Sequence, residues 1–203
     1  MTDSVAAFGF RIKSGWAALV LVGGPPDAPT LLDRKKVDLS DPTDAELRQP
    51  YHASTGVGLT DSATLGRRLK AIERYSSQSL ARVVSHCKQA GHTLCGAGLV
   101  VGSDVDPDRI GNQHIRAHAL EGRLFRRMVE EGMARGGLPC SAWVERTLFG
   151  AAAGQLGRSE AQVKKTVTEL GRRASGGWRS DDKTAAVAAW LMLAARVLRE
   201  RRV

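Results

Sequence analysis

Apolar positions crowd the amino-terminal part of the chain. Phe8, Phe10, Ile12, Trp16, Leu19, Val20, Leu21 and Val22 predict a strand over residues 6–22, interrupted around Lys13–Gly15. Gly23-Gly24-Pro25-Pro26-Asp27 has turn composition. Thr30–Leu39 reads as a second strand, with Leu31, Val37 and Leu39 among charged residues. A connection this short predicts antiparallel pairing as a hairpin. Residues 40–60 are polar, hold Pro42, Pro50, Gly56 and Gly58, and read as a loop with room for a short third strand.

The period then changes. From Asp61, the residues Leu65, Leu69, Ile72, Leu80, Val83, Val84 and Cys87 recur at helical spacing until Gly91. Thr93–Val101 is almost wholly apolar, as a strand covered on both faces must be. After Pro107 a helix is predicted over about 108–134, ended by Gly136-Gly137, and Pro139–Val144 is a further short strand. Helices follow at Leu148–Leu156, at Ser159–Arg173 with Ser159 as N-cap, and from Asp181 onward with Ser180 as cap. The Ala185–Leu193 stretch is apolar on nearly every face and should lie in the interior. Hairpin, helix, buried strand, helix, strand, helices is the order of a mixed α/β sheet with helices on both faces. At 203 residues it reads as a single domain, 1–203, with a basic tail over 196–203.

Composition changes the picture in two respects. Thirty Lys and Arg against twenty-one Asp and Glu leave a formal charge of +9, which favours polyanionic partners. Cys87, Cys95 and Cys140 are odd in number, far apart and outside any CxxC pattern, so they read as buried free thiols of a reducing compartment. Asp3 comes early and the Trp16–Val22 run is too short to span a bilayer, so neither a leader nor a membrane anchor is expected and the cytoplasm is. No Walker loop, Rossmann glycine fingerprint, GxSxG elbow or zinc-finger spacing is present.

Three pieces of sequence line up. They are Phe8-Gly9-Phe10-Arg11 with Gly15-Trp16-Ala17-Ala18-Leu19; Leu99-Val100-Val101-Gly102 with Gly137-Leu138-Pro139 and Val144-Glu145-Arg146-Thr147; and Asp181-Asp182-Lys183-Thr184-Ala185-Ala186. Together they resemble the ribonuclease-H-like superfamily, in its branch of RuvC-type Holliday-junction resolvases and YqgF-type pre-ribosomal-RNA nucleases of bacterial type. Ser159-Glu160-Ala161-Gln162-Val163-Lys164-Lys165 is similar to the helix preceding the last catalytic acids in the resolvases. The resemblance covers residues 6–22 and about 93–195.

The resemblance implies a two-metal nuclease centre. Carboxylates on the first strand, near the end of a later strand and at the start of the final helix would hold magnesium or manganese, hard ions that need oxygen ligands. Glu145 matches the middle acid and Asp182 the last, with Asp181 beside it. Arg11 stands where the first acid belongs, and the turn between Arg11 and Gly15 is shorter than the family's. A guanidinium is permanently cationic and cannot ligate a metal. Placed between Glu145 and Asp182, Arg11 would replace the metals by an internal salt bridge. Against this stand plainer readings: a surface acid after a strand for Glu145, and a helix-start preference for Asp182.

A second polar cluster lies on the helix after Gly102. His114, His118, Glu121, Phe125 and Met128 share one stripe, polar at its start. That start should lie beside the carboxyl ends of the strands, where sites form. A hydrogen-bonded helix start, a phosphate contact, or a transition-metal site lacking an evident fourth ligand all fit it. His52 can approach from the long loop.

Basic groups Arg67-Arg68 with Lys70, Arg123 with Arg126-Arg127, Lys164-Lys165, and Arg172-Arg173 with Arg179 form a phosphate track if they share one side, and solvated faces otherwise. Trp178 can stack on a base or anchor its loop. Three functional readings follow. The first is a nucleic-acid-binding pseudoenzyme with a degenerate two-metal site, gripping structured RNA or branched DNA. The second is an active Mg/Mn-dependent nuclease using Glu121, Glu145, Asp181 and Asp182. The third is a non-catalytic subunit of a homodimer or larger assembly.

Overall fold

The computed structural model describes residues 4–52 and 62–200. A five-stranded sheet has the order β3-β2-β1-β4-β5, with β1 Ser4–Lys13, β2 Trp16–Gly23, β3 Thr30–Asp38, β4 His92–Val101 and β5 Cys140–Val144. The first three strands form an antiparallel meander, and β4 and β5 join parallel to β1. The helices are α1 Ala45–Arg48, α2 Ser62–Gln89, α3 Gln113–Arg135, α4 Leu148–Leu156, α5 Glu160–Leu170 and α6 Ser180–Glu200. No helix among the described residues is long and apolar enough to cross a membrane.

The mixed sheet, its amino-terminal hairpin and the helices on both faces agree with the sequence reading. One element differs. The 6–22 stretch is two strands, because Ser14-Gly15 closes a tight hairpin between Lys13 and Trp16, with Gly15 at φ 79° where a side chain is disfavoured. The expected hairpin is thereby extended to three strands. The loop reading of 40–60 is modified by the short helix α1 and lies from residue 53 onward outside the described residues, as do Asp61 and the tail's Arg201 and Arg202.

Alternation along β1 sorts its residues between two cores. Ala6, Phe8, Phe10 and Ile12 pack with α2 and α3 through Ile72, Leu80, Leu124, Phe125 and Met133. Ala7 faces the other layer, where the interior helix α6 packs with α4 and α5. Burial of Trp190 and its neighbours anchors α6, and the Trp190 indole donates to Pro26 O at 2.7 Å. Gly9 and Gly98 face the same helix, and a Cβ on either would fall within 1.8 and 2.4 Å of the carbonyl oxygens of Ala185 and Ala188. Two glycines therefore let the helix backbone lie directly against the sheet, which sets the height of the α6 amino terminus above β1.

Candidate functional site

The odd-numbered residues of β1 continue past Gly9 to Arg11 and Lys13, so both side chains emerge on the α6 face. Parallel pairing sets Arg11 level with Val100, and Val100 level with Trp143, which brings Glu145 just past the end of β5 to the same edge. Asp181 and Asp182 arrive there on the first turn of α6, where the helix dipole favours carboxylates.

Four elements thus converge. The Arg11 side chain, in a residue only 5% exposed, donates from Nη2 to Glu145 Oε2 at 2.5 Å and from Nη1 to Ile12 O at 2.8 Å. Its Nε lies 3.9 Å from Asp181 Oδ1, and Lys13 Nζ lies 3.0 Å from the same oxygen. Asp182 goes to a different cation: Arg34 Nη1 donates to its Oδ2 at 2.9 Å, and the Arg179 backbone N–H donates to that oxygen at 2.9 Å. Arg34 is clamped in turn by Gly177 O and Ser175 O.

The expected bridge is therefore redistributed. Arg11 pairs with Glu145 and Asp181, not with Asp182, because Asp182 is turned toward β3 by Arg34 and by its cap on the start of α6. The helix begins at Ser180 itself, and the capping carboxylate is that of Asp182 rather than a Ser180 hydroxyl. Three carboxylates face three cations, Arg11, Lys13 and Arg34, and the cluster is locally neutral.

Glu121 is not part of this acid set. It is fully buried on α3, with Oε1 2.8 Å from His52 Nδ1 and Oε2 3.8 Å from His118 Nδ1. His114, one turn before His118, completes the group: His114 Nε2 and His118 Nε2 are 3.3 Å apart. The structure resolves the position of His52, whose ring meets His114 edge-on and His118 at a tilt, at centroid distances of 4.8 and 4.0 Å. Partial burial and the neighbouring His52 hold His118 below the ordinary imidazole range, against the opposing pull of Glu121. A cleft of about 490 Å³ joins the two clusters, lined by Arg11, Lys13, Val101, Gly102 and His118 and rimmed by exposed Ile115.

The predicted basic residues do not form one track. Arg68, Lys70, Arg126 and Arg127 belong to the α2/α3 layer, whereas Lys164, Lys165 and Arg172 lie with α5 on the opposite layer. Four are engaged by acids: Arg68 by Glu46, Arg126 by Asp104 and Glu130, Arg127 by Glu131, Lys164 by Glu160. The Arg173 side chain lies outside the described ones. Trp178 anchors its loop, with its indole packed on Gly171 and donating to Val167 O at 2.9 Å. Cys87 is buried as expected, but Cys95 and Cys140 are only partly so, and all three are free thiols.

The sequence reading did not pick out Lys13, Arg34, Lys35 and Lys36. Lys13 was within reach, since it shares a strand face with Arg11 two residues earlier. The β3 cations carried no such signal. They line a groove of about 440 Å³ with Trp16, Arg179, Asp181 and Asp182, on the β3 side of the acid cluster.

The architecture is a mixed α/β fold, a five-stranded sheet with helices on both faces, and its site lies at one sheet edge. No protein-family model and no curated protein sequence matches the chain. Among solved structures it is similar to Thermus thermophilus RuvC, at 12% identity and TM-score 0.58 over 95% of this chain and 96% of that one. The same values hold for T. thermophilus RuvC in complex with Holliday junction substrate. The yeast mitochondrial Holliday junction resolvase Ydc2 matches at 10% identity and TM-score 0.43, over 98% and 85% of the two chains. At 12% identity the likeness to RuvC is one of fold.

Proposed function

We propose that the protein binds nucleic acid on a resolvase-related fold whose acid cluster is closed by its own cations. The observation that carries this is the buried Arg11 guanidinium hydrogen-bonded to Glu145. The two divalent metals implied by the fold class do not fit the residues present. A metal pair needs several carboxylate oxygens facing an anionic pocket, yet Glu145, Asp181 and Asp182 each have a cation against them. Arg11 also adds a permanent positive charge where a further anionic ligand is needed.

What remains is a surface suited to phosphate. Lys13, Arg34, Lys35, Lys36 and Arg179 gather around the cluster, Lys35 and Lys36 held by Asp33 and Asp38, and half-buried Trp16 offers an aromatic face beside Lys36. The formal charge of +9 adds sequence-independent attraction. The likeness to a RuvC solved with a Holliday junction makes branched DNA the first substrate to try.

The test is a binding and cleavage assay on four-way-junction and duplex DNA and on structured RNA. Salt-sensitive binding without cleavage in magnesium or manganese is expected. Metal-dependent cleavage abolished by Glu145→Gln would overturn the closed acid cluster, and absence of binding to every substrate at low salt would overturn the nucleic-acid reading.

A further inference from the structure

Residue 52 meets the first turns of α3 in a way that suits a metal ion better than a simple hydrogen-bonded cap. One ring nitrogen from each of His52, His114 and His118 lies within 4.8 Å of the others. We propose that these three histidines form a binding site for a zinc-class divalent cation, with buried Glu121 orienting His52. The site is separate from the carboxylate cluster and does not depend on the nucleic-acid reading.

The helix supplies the first pair. His114 and His118 are four residues apart and share a face, the spacing at which two imidazoles of one helix can grip one ion. Their Nε2 atoms are 3.3 Å apart. Zn–N bonds of about 2.0–2.1 Å set the edge of a tetrahedral site at about 3.3 Å, so this pair already stands at ligand spacing. Two Nε2 atoms facing each other either share a proton or share a cation.

The third histidine is presented by the carboxylate. His52 Nδ1 lies 2.8 Å from Glu121 Oε1, the contact in which a protonated Nδ1 donates and Nε2 is the ligand nitrogen. A carboxylate behind a ligating imidazole fixes its tautomer and raises its basicity. Glu121 itself supports the assignment. It is 0% exposed, and its Oε2 accepts no hydrogen bond from the described residues. A buried carboxylate demands positive charge nearby, which a divalent ion held by its imidazole neighbours supplies.

The donor set selects the ion. Imidazole nitrogens suit zinc, cobalt, nickel or copper rather than magnesium. His114 and His118 are solvent-exposed, so their rings have room to rotate and water has access to a fourth position. Three protein ligands with an open position is the arrangement of a zinc ion that can take a further ligand, and His118 also lines the cleft that reaches Arg11.

The full chain, stripped with a chelator, is titrated with Co²⁺ while the visible spectrum is recorded, then with Zn²⁺. Stoichiometric Co²⁺ uptake with the d–d bands of a four-coordinate site, displaced by Zn²⁺ and unaffected by Mg²⁺, is expected. His114→Ala and His118→Ala, both at exposed positions, should abolish the bands while the circular dichroism stays native. Glu121→Gln should weaken binding ~10–100-fold; should that buried change unfold the chain, the two histidine variants decide alone. No stoichiometric uptake, or uptake unchanged in the His114→Ala/His118→Ala double variant, overturns the site and leaves three clustered imidazoles around a carboxylate.

Discussion

Arg11 shows how much one side chain decides. Its guanidinium is nearly buried, yet Glu145 keeps 36% of its side-chain surface, so solvent screens part of their attraction. Arg11→Met should therefore destabilise by about 2 kcal/mol, less than the loss of a fully buried pair. Urea melts of Arg11→Met, Glu145→Gln and the double variant measure the coupling, and additive effects would mean that the pair contributes nothing. At the same scale, burial and the nearby Glu130 raise the Cys140 thiol from its ordinary 9 to about 11. It should resist alkylation at pH 8 and react increasingly as pH approaches 11, read by mass spectrometry of its peptide. The unfolded thiol ionises first. This group's contribution to stability is therefore full below about pH 9 and falls as pH rises toward 11. Arg11 was legible as a mismatch in a pattern. Its partners were not, because choosing between Asp181 and Asp182 required knowing that Arg34 on another strand had already taken the second.

Among the elements, α6 matters most, because it carries two acids of the cluster and fills one of the cores. Its height over the sheet depends on Gly9, where a Cβ would sit 1.8 Å from Ala185 O. That contact is with backbone, so no rotamer relieves it. Gly9→Ala should cost about 3 kcal/mol, measured as a shift in urea midpoint. An equally stable variant would mean that the helix can lift away without loss. Periodicity predicted most elements closely: α4 has the expected bounds, and Ser159 caps α5 in a reciprocal capping box with Gln162. It merged β1 and β2, because Ser14-Gly15 is too short a break to interrupt an apolar run. The β3 cations escaped notice for a related reason: charged residues on an edge strand look like a solvated face until the loop before α6, which meets Arg34, is placed.

For the whole molecule, net charge is a weak guide and its distribution a stronger one. The cations of α3 are spread along acids of their own layer, whereas Lys13, Lys35 and Lys36, paired with Asp181, Asp33 and Asp38, gather with Arg179 at the carboxylate edge. Nucleic-acid affinity is expected to fall ~10³-fold between 50 and 200 mM salt, and Lys36→Ala with Arg179→Ala should lower the salt slope by about two. An unchanged slope would move the binding surface elsewhere, and Lys164→Ala with Lys165→Ala on α5 would then be the comparison to make.

By itself the sequence determined the mixed α/β class, the two-sided burial of β4, the interior character of α6, and the presence of a cation where an acid was expected. Those are local properties: side-chain size, period and charge are written residue by residue. Only the tertiary structure decided that Arg11 joins Glu145 and Asp181, that Arg34 claims Asp182, and that His52 meets His114, His118 and Glu121. Each of these contacts spans a long sequence separation. Their geometry depends on sheet register and on how closely α6 and α3 approach the strands, and no local pattern encodes either.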